Sequence, residues 1–317
     1  MRIRMICMLT TLALFLPWNA AQAGTCLLLY MIGGDLETDS GAAAADLLEL
    51  AHPLPEQIRA FVRIGGAKKF WLPGLTDGHM QDLTLRNGQW TILEDQPKQS
   101  MSKSFCLEDF IRRYADDRGH NILILWGHGD GIHSSLGVDQ LEDNALLPLS
   151  AIEEALSSAG IHFDFIGMDA CGMATLEAAW RMRGFADIFA ASASTEPLSG
   201  WNYSGWPAHL DQSPDEWMSL LLQESNLSLM RTDGSSGLIF VQAAALNTCA
   251  EELCTVLDST TRTGNHQTVG DIIASLQDEN ISGIDPNIRR LLLPADPASA
   301  SDLDQIGASY AAWLLRK

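Results

Sequence analysis

Two residues of this sequence form a pair that can carry out nucleophilic chemistry. His128 lies in the segment GHGDG (127–131) and Cys171 in the segment DACG (169–172). A cysteine attacks as the thiolate, and a free thiol with a pKa of about 8.5 is mostly protonated at neutral pH. A neighbouring imidazole can take up this proton and later donate it to a leaving amine. The glycines beside His128 would let backbone N–H groups approach a developing oxyanion. The pair therefore predicts acyl transfer through a thioester on the cysteine.

Each of these residues by itself has a more ordinary interpretation. A single cysteine is usually a small buried side chain, and a single loop histidine is more often structural than catalytic. Asp169, just before the cysteine, could simply accept backbone hydrogen bonds at the end of a strand. However, His128 and Cys171 each follow a short apolar run. This joint placement favours catalysis over the separate interpretations.

The apolar runs before these residues predict strands that are buried on both faces. Strands are predicted at 27–32, 61–64, 121–126, 163–168 and 188–193. Helices are predicted at 42–50, 107–115, 150–158 and 175–183, and a hairpin around Asn87–Gly88 within 71–93. Ser150 and Glu153 match a capping box at the start of the third helix. The alternation predicts an α/β fold, with a mostly parallel β-sheet flanked by helices on both faces. Functional groups gather at the carboxyl edge of such sheets, which would bring His128 and Cys171 together.

Charge and missing motifs exclude several other functions. The formal net charge is −20, and an acidic surface repels nucleic acid. The sequence has neither the GxSxG elbow of serine hydrolases nor the HExxH helix of zinc proteases. His133 lies close to His128, but the segment lacks further convincing ligands, so no metal site is predicted. The segment 33–35 lacks the Lys and Ser/Thr partners of a phosphate loop.

The first 23 residues have the pattern of a signal peptide. Arg2 and Arg4 precede an apolar run at 5–16, and residues 21–23 (AQA) supply a cleavage site. The run is too short to span a bilayer of about 30 Å. We therefore expect export to the periplasm or the extracellular space. The mature chain would start at Gly24, without a membrane span, and is expected to be a monomer.

The number of cysteines also indicates that Cys171 is a free thiol. Of six cysteines, Cys7 lies in the leader, so five remain. In an oxidising compartment an odd number predicts two bridges and one free thiol. Cys249 and Cys254 are close in sequence, and Cys26 and Cys106 each lie near the start of an element. Pairing them in this way leaves the candidate nucleophile free.

Four stretches of the chain resemble the clostripain family of cysteine peptidases, which are relatives of caspases, gingipains and legumains. They are YMIGGDLE (30–37), ILILWGHGDG (122–131), MDACGMATLEAAW (168–180) and ASTEPLSGWNY (193–203). The resemblance implies a caspase-like peptidase domain over 24–245 that acts on peptides or proteins. A helix-rich C-terminal region over 246–317 would pack on it.

The resemblance also implies roles for single residues. His128 and Cys171 correspond to the catalytic dyad of the family. The N–H groups of Gly129 and Cys171 correspond to its oxyanion hole. Asp169 matches the acid near the base of the pocket for P1, the substrate residue before the cut bond. A buried carboxylate suits a guanidinium or ammonium group, so the resemblance implies cleavage after Arg or Lys.

The last stretch departs from the family pattern in the residues of this pocket. Relatives often carry an acid just before the Gly–Trp pair, where this chain has Ser199. Glu196 is the candidate that compensates for the missing charge. Trp126 and Trp201 are candidates for lining the cleft. The departure therefore affects the predicted preference at P1 and leaves the predicted reaction type unchanged.

Processing and cofactors give two further expectations. Relatives often mature by cutting themselves after a basic residue between the catalytic His and Cys. No Lys or Arg lies between His128 and Cys171, so we predict a single-chain enzyme. No cofactor is predicted to be required. Some relatives need Ca²⁺, although no EF-hand spacing is present, and the candidate oxygen ligands are Asp130, Asp139, Glu142 and Asp143.

Two alternatives to a hydrolase remain open at this point. A catalytically inactive protein of the same fold could bind peptides or a partner, and the altered Ser199 position is compatible with that. The intact His128 and Cys171 pair argues against it. A transpeptidase would form the same thioester and pass it to an amine, and the sequence does not separate transfer from hydrolysis.

Overall fold

The computed structural model describes residues 24–130, 133–192, 195–228 and 238–243. The predicted signal peptide, Cys249, Cys254 and the predicted region 246–317 lie outside the described residues. The described part contains strands β1 (Thr25–Ile32), β2 (Ile58–Gly65), β3 (His79–Arg86), β4 (Gln89–Pro97), β5 (His120–Trp126), β6 (Gly129–Asp130), β7 (Ser135–Asp139), β8 (Ala145–Pro148), β9 (Phe163–Asp169), β10 (Ala186–Ser192) and β11 (Leu238–Gln242). Its helices are α1 (Gly34–Ser40), α2 (Ala42–Glu49), α3 (Ser104–Tyr114), α4 (Leu149–Ala159), α5 (Leu176–Met182) and α6 (Pro214–Ser228).

The central sheet of the described part has the strand order β11-β10-β9-β5-β1-β2-β3-β4. Neighbours from β10 to β2 run parallel, whereas β3, β4 and β11 are antiparallel to their neighbours. Arg86 pairs with Gln89 across the predicted hairpin, so Asn87 and Gly88 form its turn. Both turn residues have positive φ, as two-residue hairpin turns of this type require. The prediction of a mostly parallel sheet is confirmed.

Helices cover both faces of the sheet, which explains why its inner strands are continuously apolar. On β1, Leu28 and Tyr30 belong to a core cluster that includes residues of α3, α4 and α5. Leu27 and Leu29 belong to a second cluster, which includes residues of α2 and α6. Successive side chains of a strand point to opposite faces. The sheet is therefore the middle layer of three.

A buried ion pair connects the sheet to α3. The guanidinium of Arg63 on β2 donates to both carboxylate oxygens of Asp82 on β3, at 2.6 and 2.7 Å, and to Asp109 of α3 at 2.9 Å. It also donates to the backbone carbonyl of Cys106, and the hydroxyl of Tyr114 donates to Asp82. Buried charges are tolerated when they are paired and hydrogen-bonded in this way. The pair therefore fixes β2, β3 and α3 relative to one another.

The carboxyl end of β1 lies in close contact with the segment that follows β5 and with the middle of β7. A Cβ on Gly137 would lie 2.5 Å from Cδ1 of Ile32. A Cβ on Gly127 would lie 3.0 Å from the carbonyl oxygen of Ile32 and 3.2 Å from the Cα of Gly137. These distances leave no space for a side chain at either glycine. We call this group of residues, Ile32, Gly127 and Gly137, the glycine contact.

The predicted bridge between Cys26 and Cys106 is wrong, because both residues are free thiols in the core. The sulfur of Cys26 lies 3.0 Å from the carbonyl oxygen of Tyr114, at the last residue of α3. Cys106 lies near the start of the same helix. Eight helical residues span about 12 Å, whereas a disulfide needs Cα atoms within about 7 Å. Burial raises the pKa of the Cys26 thiol to about 12, so it is protonated and unreactive.

The predicted capping box at the start of α4 is also wrong. The helix begins at Leu149, directly after Pro148, and no side chain caps its start. Ser150 therefore lies within the first turn, where its hydroxyl cannot act as the N-cap. The preceding strand β8 runs directly into the helix, so the helix starts one residue before Ser150, the predicted N-cap.

Candidate active site

The strands β5 and β9 bring the candidate histidine and cysteine to the same edge of the sheet. They are parallel neighbours, and their last residues, Trp126 and Asp169, pair directly. His128 and Cys171 each lie two residues beyond this pair. The amide of Gly127 donates to the carbonyl of Asp169 at 3.3 Å, so the two segments remain together after the strands end. The predicted placement at the carboxyl edge is thus observed.

Gly129 lies against the backbone of Cys171. A Cβ at position 129 would lie 2.0 Å from the carbonyl oxygen and 2.7 Å from the amide nitrogen of Cys171. No side chain fits at such distances, and only glycine allows the two backbones to come this close. The backbone of Gly129 therefore lies directly beside that of the candidate nucleophile, close to where a carbonyl under attack would develop its negative charge.

The side chain of His128 bonds to an acid that the sequence did not single out. Its Nε2 lies 2.8 Å from Oδ1 of Asp35, which is in the first turn of α1, directly after β1. Both side chains are partly exposed, by 39% and 48%. The bond leaves Nδ1 as the ring nitrogen available to exchange a proton with a thiol. The sequence signal that could have identified Asp35 is its position after the β1 strand, at the same sheet edge.

The sulfur of Cys171 is half-buried and contacts the backbone of Glu196. The amide of Glu196 donates to the sulfur at 3.3 Å, and the carbonyl oxygen of the same residue lies 4.0 Å away. The segment 195–199 therefore passes directly beside the sulfur. No hydrogen bond joins the sulfur to the imidazole of His128 in the part of the chain that the structure describes.

Asp169 lies beneath this segment and is almost completely buried, with 3% of its surface exposed. Its carboxylate accepts bonds from the amide of Trp201 at 3.2 Å and from the hydroxyl of Tyr203 at 2.7 Å. It is also hydrogen-bonded to the carboxyl of Glu196. Burial raises the pKa of Asp169 to about 6, against the effect of these bonds.

Further acids surround Asp169. Asp46 of α2 is buried and accepts a bond from the indole of Trp126 at 2.6 Å. Burial, and then the charge of Asp169, raise its pKa well above the ordinary value. Glu49 accepts the amide of Tyr203 at 2.9 Å. Among the described residues, these acids form no ion pair with a Lys or Arg. We call Asp46, Glu49, Asp169 and Glu196 the acid cluster.

The structure separates the predicted pocket residues. Ser199 lies in an exposed turn, and Glu196 bonds inward to Asp169. The prediction that Trp201 and Trp126 line the cleft is wrong, since both rings are buried. The ring of Trp201 fills the space over Gly167, where a Cβ would lie 2.8 Å from its Cη2. Each indole N–H instead donates a hydrogen bond to an acid, Trp201 to Glu196 and Trp126 to Asp46.

The candidate calcium ligands are partly committed to other contacts. Asp139 is fully buried and accepts the amides of Met101 and Leu141, at 2.7 and 2.9 Å. Asp130 bonds to the backbone and ring of His133. No group of three or more His, Cys, Asp or Glu residues that could hold a metal occurs within the described ranges. A calcium requirement stays an untested prediction.

Comparisons with known proteins identify the family. The model of the clostripain family, Peptidase_C11, matches residues 80–279. This range includes three of the four stretches noted above, and the first stretch, 30–37, lies outside it. A comparison with curated proteins gave no match.

Solved structures share the fold. A secreted C11 cysteine protease from Bacteroides thetaiotaomicron, in complex with an irreversible peptide inhibitor, is 17% identical with a TM-score of 0.57, covering 92% of this chain and 83% of that chain. An inactive zymogen C11 protease from Parabacteroides distasonis is 16% identical with a TM-score of 0.58, covering 91% and 82%. No helix within the described residues is long and apolar enough to cross a membrane. Since the family model matches more than half of the chain, the protein belongs to the clostripain family and is a cysteine-type peptidase.

Proposed function

We propose that the protein is an exported, single-chain and monomeric endopeptidase that hydrolyses peptide bonds after Arg or Lys. Cys171 is the nucleophile and His128 the acid–base. The observation that carries the proposal is the close contact of Gly129 with the backbone of Cys171, directly after two paired strands. This contact supports an oxyanion site beside a thiol, with a histidine on the adjoining residue. Export rests on the leader pattern of residues 1–23.

The reaction follows from these positions in two steps. Nδ1 of His128 takes the thiol proton, and the sulfur attacks the peptide carbonyl. The amides of Gly129 and Cys171 stabilise the oxyanion until the C–N bond breaks, and the imidazolium protonates the leaving amine. A water then attacks the thioester with His128 as base. The acid product leaves, and the thiol regains its proton.

Asp35 is the positioning residue for His128 in this mechanism. Its carboxylate accepts a hydrogen bond from Nε2–H, which holds the ring in the tautomer that presents Nδ1 to the sulfur. It also stabilises the imidazolium that forms during attack. The arrangement follows the general logic in which a third group orients the base.

Asp35→Ala is expected to lower kcat about 10- to 100-fold with little change in KM, since general acid–base catalysis contributes about 10²–10⁴-fold in total. Asp35→Asn keeps an oxygen acceptor and should lose less. The measurement is steady-state kinetics on a fluorogenic peptide. Asp39→Asn is the matched control, because Asp39 is an exposed acid on the same helix. Wild-type kcat in Asp35→Ala would contradict the role.

The acid cluster supports a basic residue at P1. It groups four carboxyl side chains around the buried Asp169, without a Lys or Arg in ion-pair distance among the described residues. The ionised carboxylate of Asp169 gives this site a negative charge, which attracts cations. The oxygens of Asp169 already accept internal bonds, so we expect its charge, rather than a new direct hydrogen bond, to favour a guanidinium or ammonium group.

The experiment that tests the proposed function combines turnover with thiol labelling. The mature chain from Gly24 is incubated under reducing conditions, with Ca²⁺ or a chelator, and with fluorogenic peptides that differ only at P1. Cleavage after Arg or Lys is expected, and it should disappear in Cys171→Ala. Turnover of neutral P1 residues alone would overturn the specificity but keep the mechanism. No turnover and no labelling of Cys171 would favour a peptide-binding protein without activity.

A further inference from the structure

Glu196 contacts the reacting thiol and the buried acid beneath it at the same time. Its backbone amide donates to the sulfur of Cys171 at 3.3 Å. Its carboxyl is hydrogen-bonded to that of Asp169, and Trp201 connects the two acids, because its backbone amide donates to Asp169 at 3.2 Å. Its Oε1 accepts the indole N–H of Trp201 at 3.1 Å. The side chain of Glu196 is thus hydrogen-bonded to two buried groups, while its backbone amide contacts the sulfur of Cys171.

A hydrogen bond between two carboxyl groups requires one proton, since ionised carboxylates only accept. Asp169 accepts from the amide of Trp201 and the hydroxyl of Tyr203, so it is the ionised partner. The proton therefore resides on Glu196. Burial and the charge of Asp169 raise the pKa of Glu196 well above its ordinary value, in agreement with this assignment.

The groups that face this pair are acids or groups that become anions. Asp46 of α2 and Glu49 beside it act on the buried cluster, and the Cys171 sulfur acts on Glu196. Tyr203 is buried and stays neutral, because burial and then the charge of Asp169 raise its pKa. Loss of the proton from Glu196 would put two adjacent carboxylates, and a charge beside the sulfur, into a poorly solvated site.

We propose that Glu196 is a positioning residue, and that the proton it shares with Asp169 keeps its backbone amide on the sulfur of Cys171. When Glu196 is protonated, its hydrogen bonds hold the segment 195–199 in place, and the backbone amide of Glu196 stabilises the thiolate of Cys171. When Glu196 ionises, the carboxyl pair separates, and the amide leaves the sulfur. The inference rests on the proposed role of Cys171 as the nucleophile.

Glu196→Gln tests the inference, because a glutamine amide reproduces the protonated acid. Its oxygen can accept from Trp201 and its N–H₂ can donate to Asp169 at every pH. In the wild type, the rate of Cys171 alkylation by iodoacetamide should rise with pH and then fall on the alkaline side. In Glu196→Gln the alkaline fall should be absent. Mass spectrometry of the peptide that contains Cys171 measures the rate separately from the other thiols.

Two further variants complete the experiment. Glu196→Ala should lower the alkylation rate and kcat about tenfold through loss of the anchor, and Glu196→Gln should restore most of this loss. Glu154→Gln, at an exposed position of α4, controls for the change in net charge. Thermal unfolding shows whether each variant is folded.

The results can overturn the inference in two ways. The same alkaline fall in Glu196→Gln and in the wild type would show that another group is responsible. A Glu196→Gln variant as impaired as Glu196→Ala, with KM raised only for basic P1 peptides, would show that the negative charge itself binds substrate. Labelling of Cys171 does not depend on peptide turnover. A wild-type protein that is labelled but cleaves no peptide would therefore overturn the proposed function and leave this inference intact.

Discussion

Cys171→Ala is expected to reduce kcat/KM by about 10⁴-fold or more, because no other described group lies in position to form the thioester. The fold should be unchanged, since the side chain is half-buried and its polar contacts among the described residues are both with the backbone of Glu196. Cys171→Ser should be equally inactive, since the hydroxyl has no comparable tendency to ionise. The measurement is kcat/KM on the best P1 substrate, together with thermal unfolding.

Cys26→Ala is the matched control for this variant. It also removes a thiol, but one that is buried at the opposite end of β1. It should lose some stability and keep its activity. Full activity in Cys171→Ala would refute the proposed mechanism, and equal loss in both variants would indicate a structural effect.

Gly129→Ala is expected to lower kcat/KM by about 10²-fold or more. Its new methyl carbon would lie 2.0 Å from the carbonyl oxygen of Cys171, so the two backbones must move apart. Removal of a single oxyanion donor costs about 10²–10³-fold in kcat, and this shift displaces the amides of both residues. Kinetics and the rate of Cys171 alkylation are measured together, since the movement affects the position of the thiol as well as that of the oxyanion.

Gly184→Ala is the control for added volume. A Cβ at position 184 meets nothing within 4 Å, so activity and stability should stay at the wild-type level. Gly129→Ala could also lose stability, and thermal unfolding separates this from a local effect on a folded protein. Wild-type turnover by Gly129→Ala would contradict the oxyanion role of the contact.

The sequence was sufficient to predict the parts of the fold that depend on short-range pattern. The apolar runs before His128 and Cys171 identified neighbouring buried strands, because only a strand covered on both faces needs so continuous an apolar sequence. Asn87 and Gly88 identified the hairpin for a similarly local reason. The edge of the sheet that carries the candidate site followed from the strand ends alone.

Long-range contacts were not predictable in this way. Asp35 meets His128 through the order of β1 and β5 in the sheet, which no local pattern encodes. Trp201 is buried because Gly167, far away in sequence, leaves space for its ring. Cys26 and Cys106 looked like partners because each begins an element, but α3 carries them apart. In each case the contact depends on how the helices and strands pack against one another.

The glycine contact limits how this protein can diverge during evolution. Ile32, Gly127 and Gly137 fill the space behind the catalytic edge, so a larger residue at either glycine would displace the loop that carries His128. The segment 195–199, in contrast, is mostly exposed at its side chains. Apart from Glu196, mutations that alter substrate choice can accumulate at its exposed positions without disturbing the scaffold. Lineages of this fold should therefore vary in what they cut far more readily than in how they cut it.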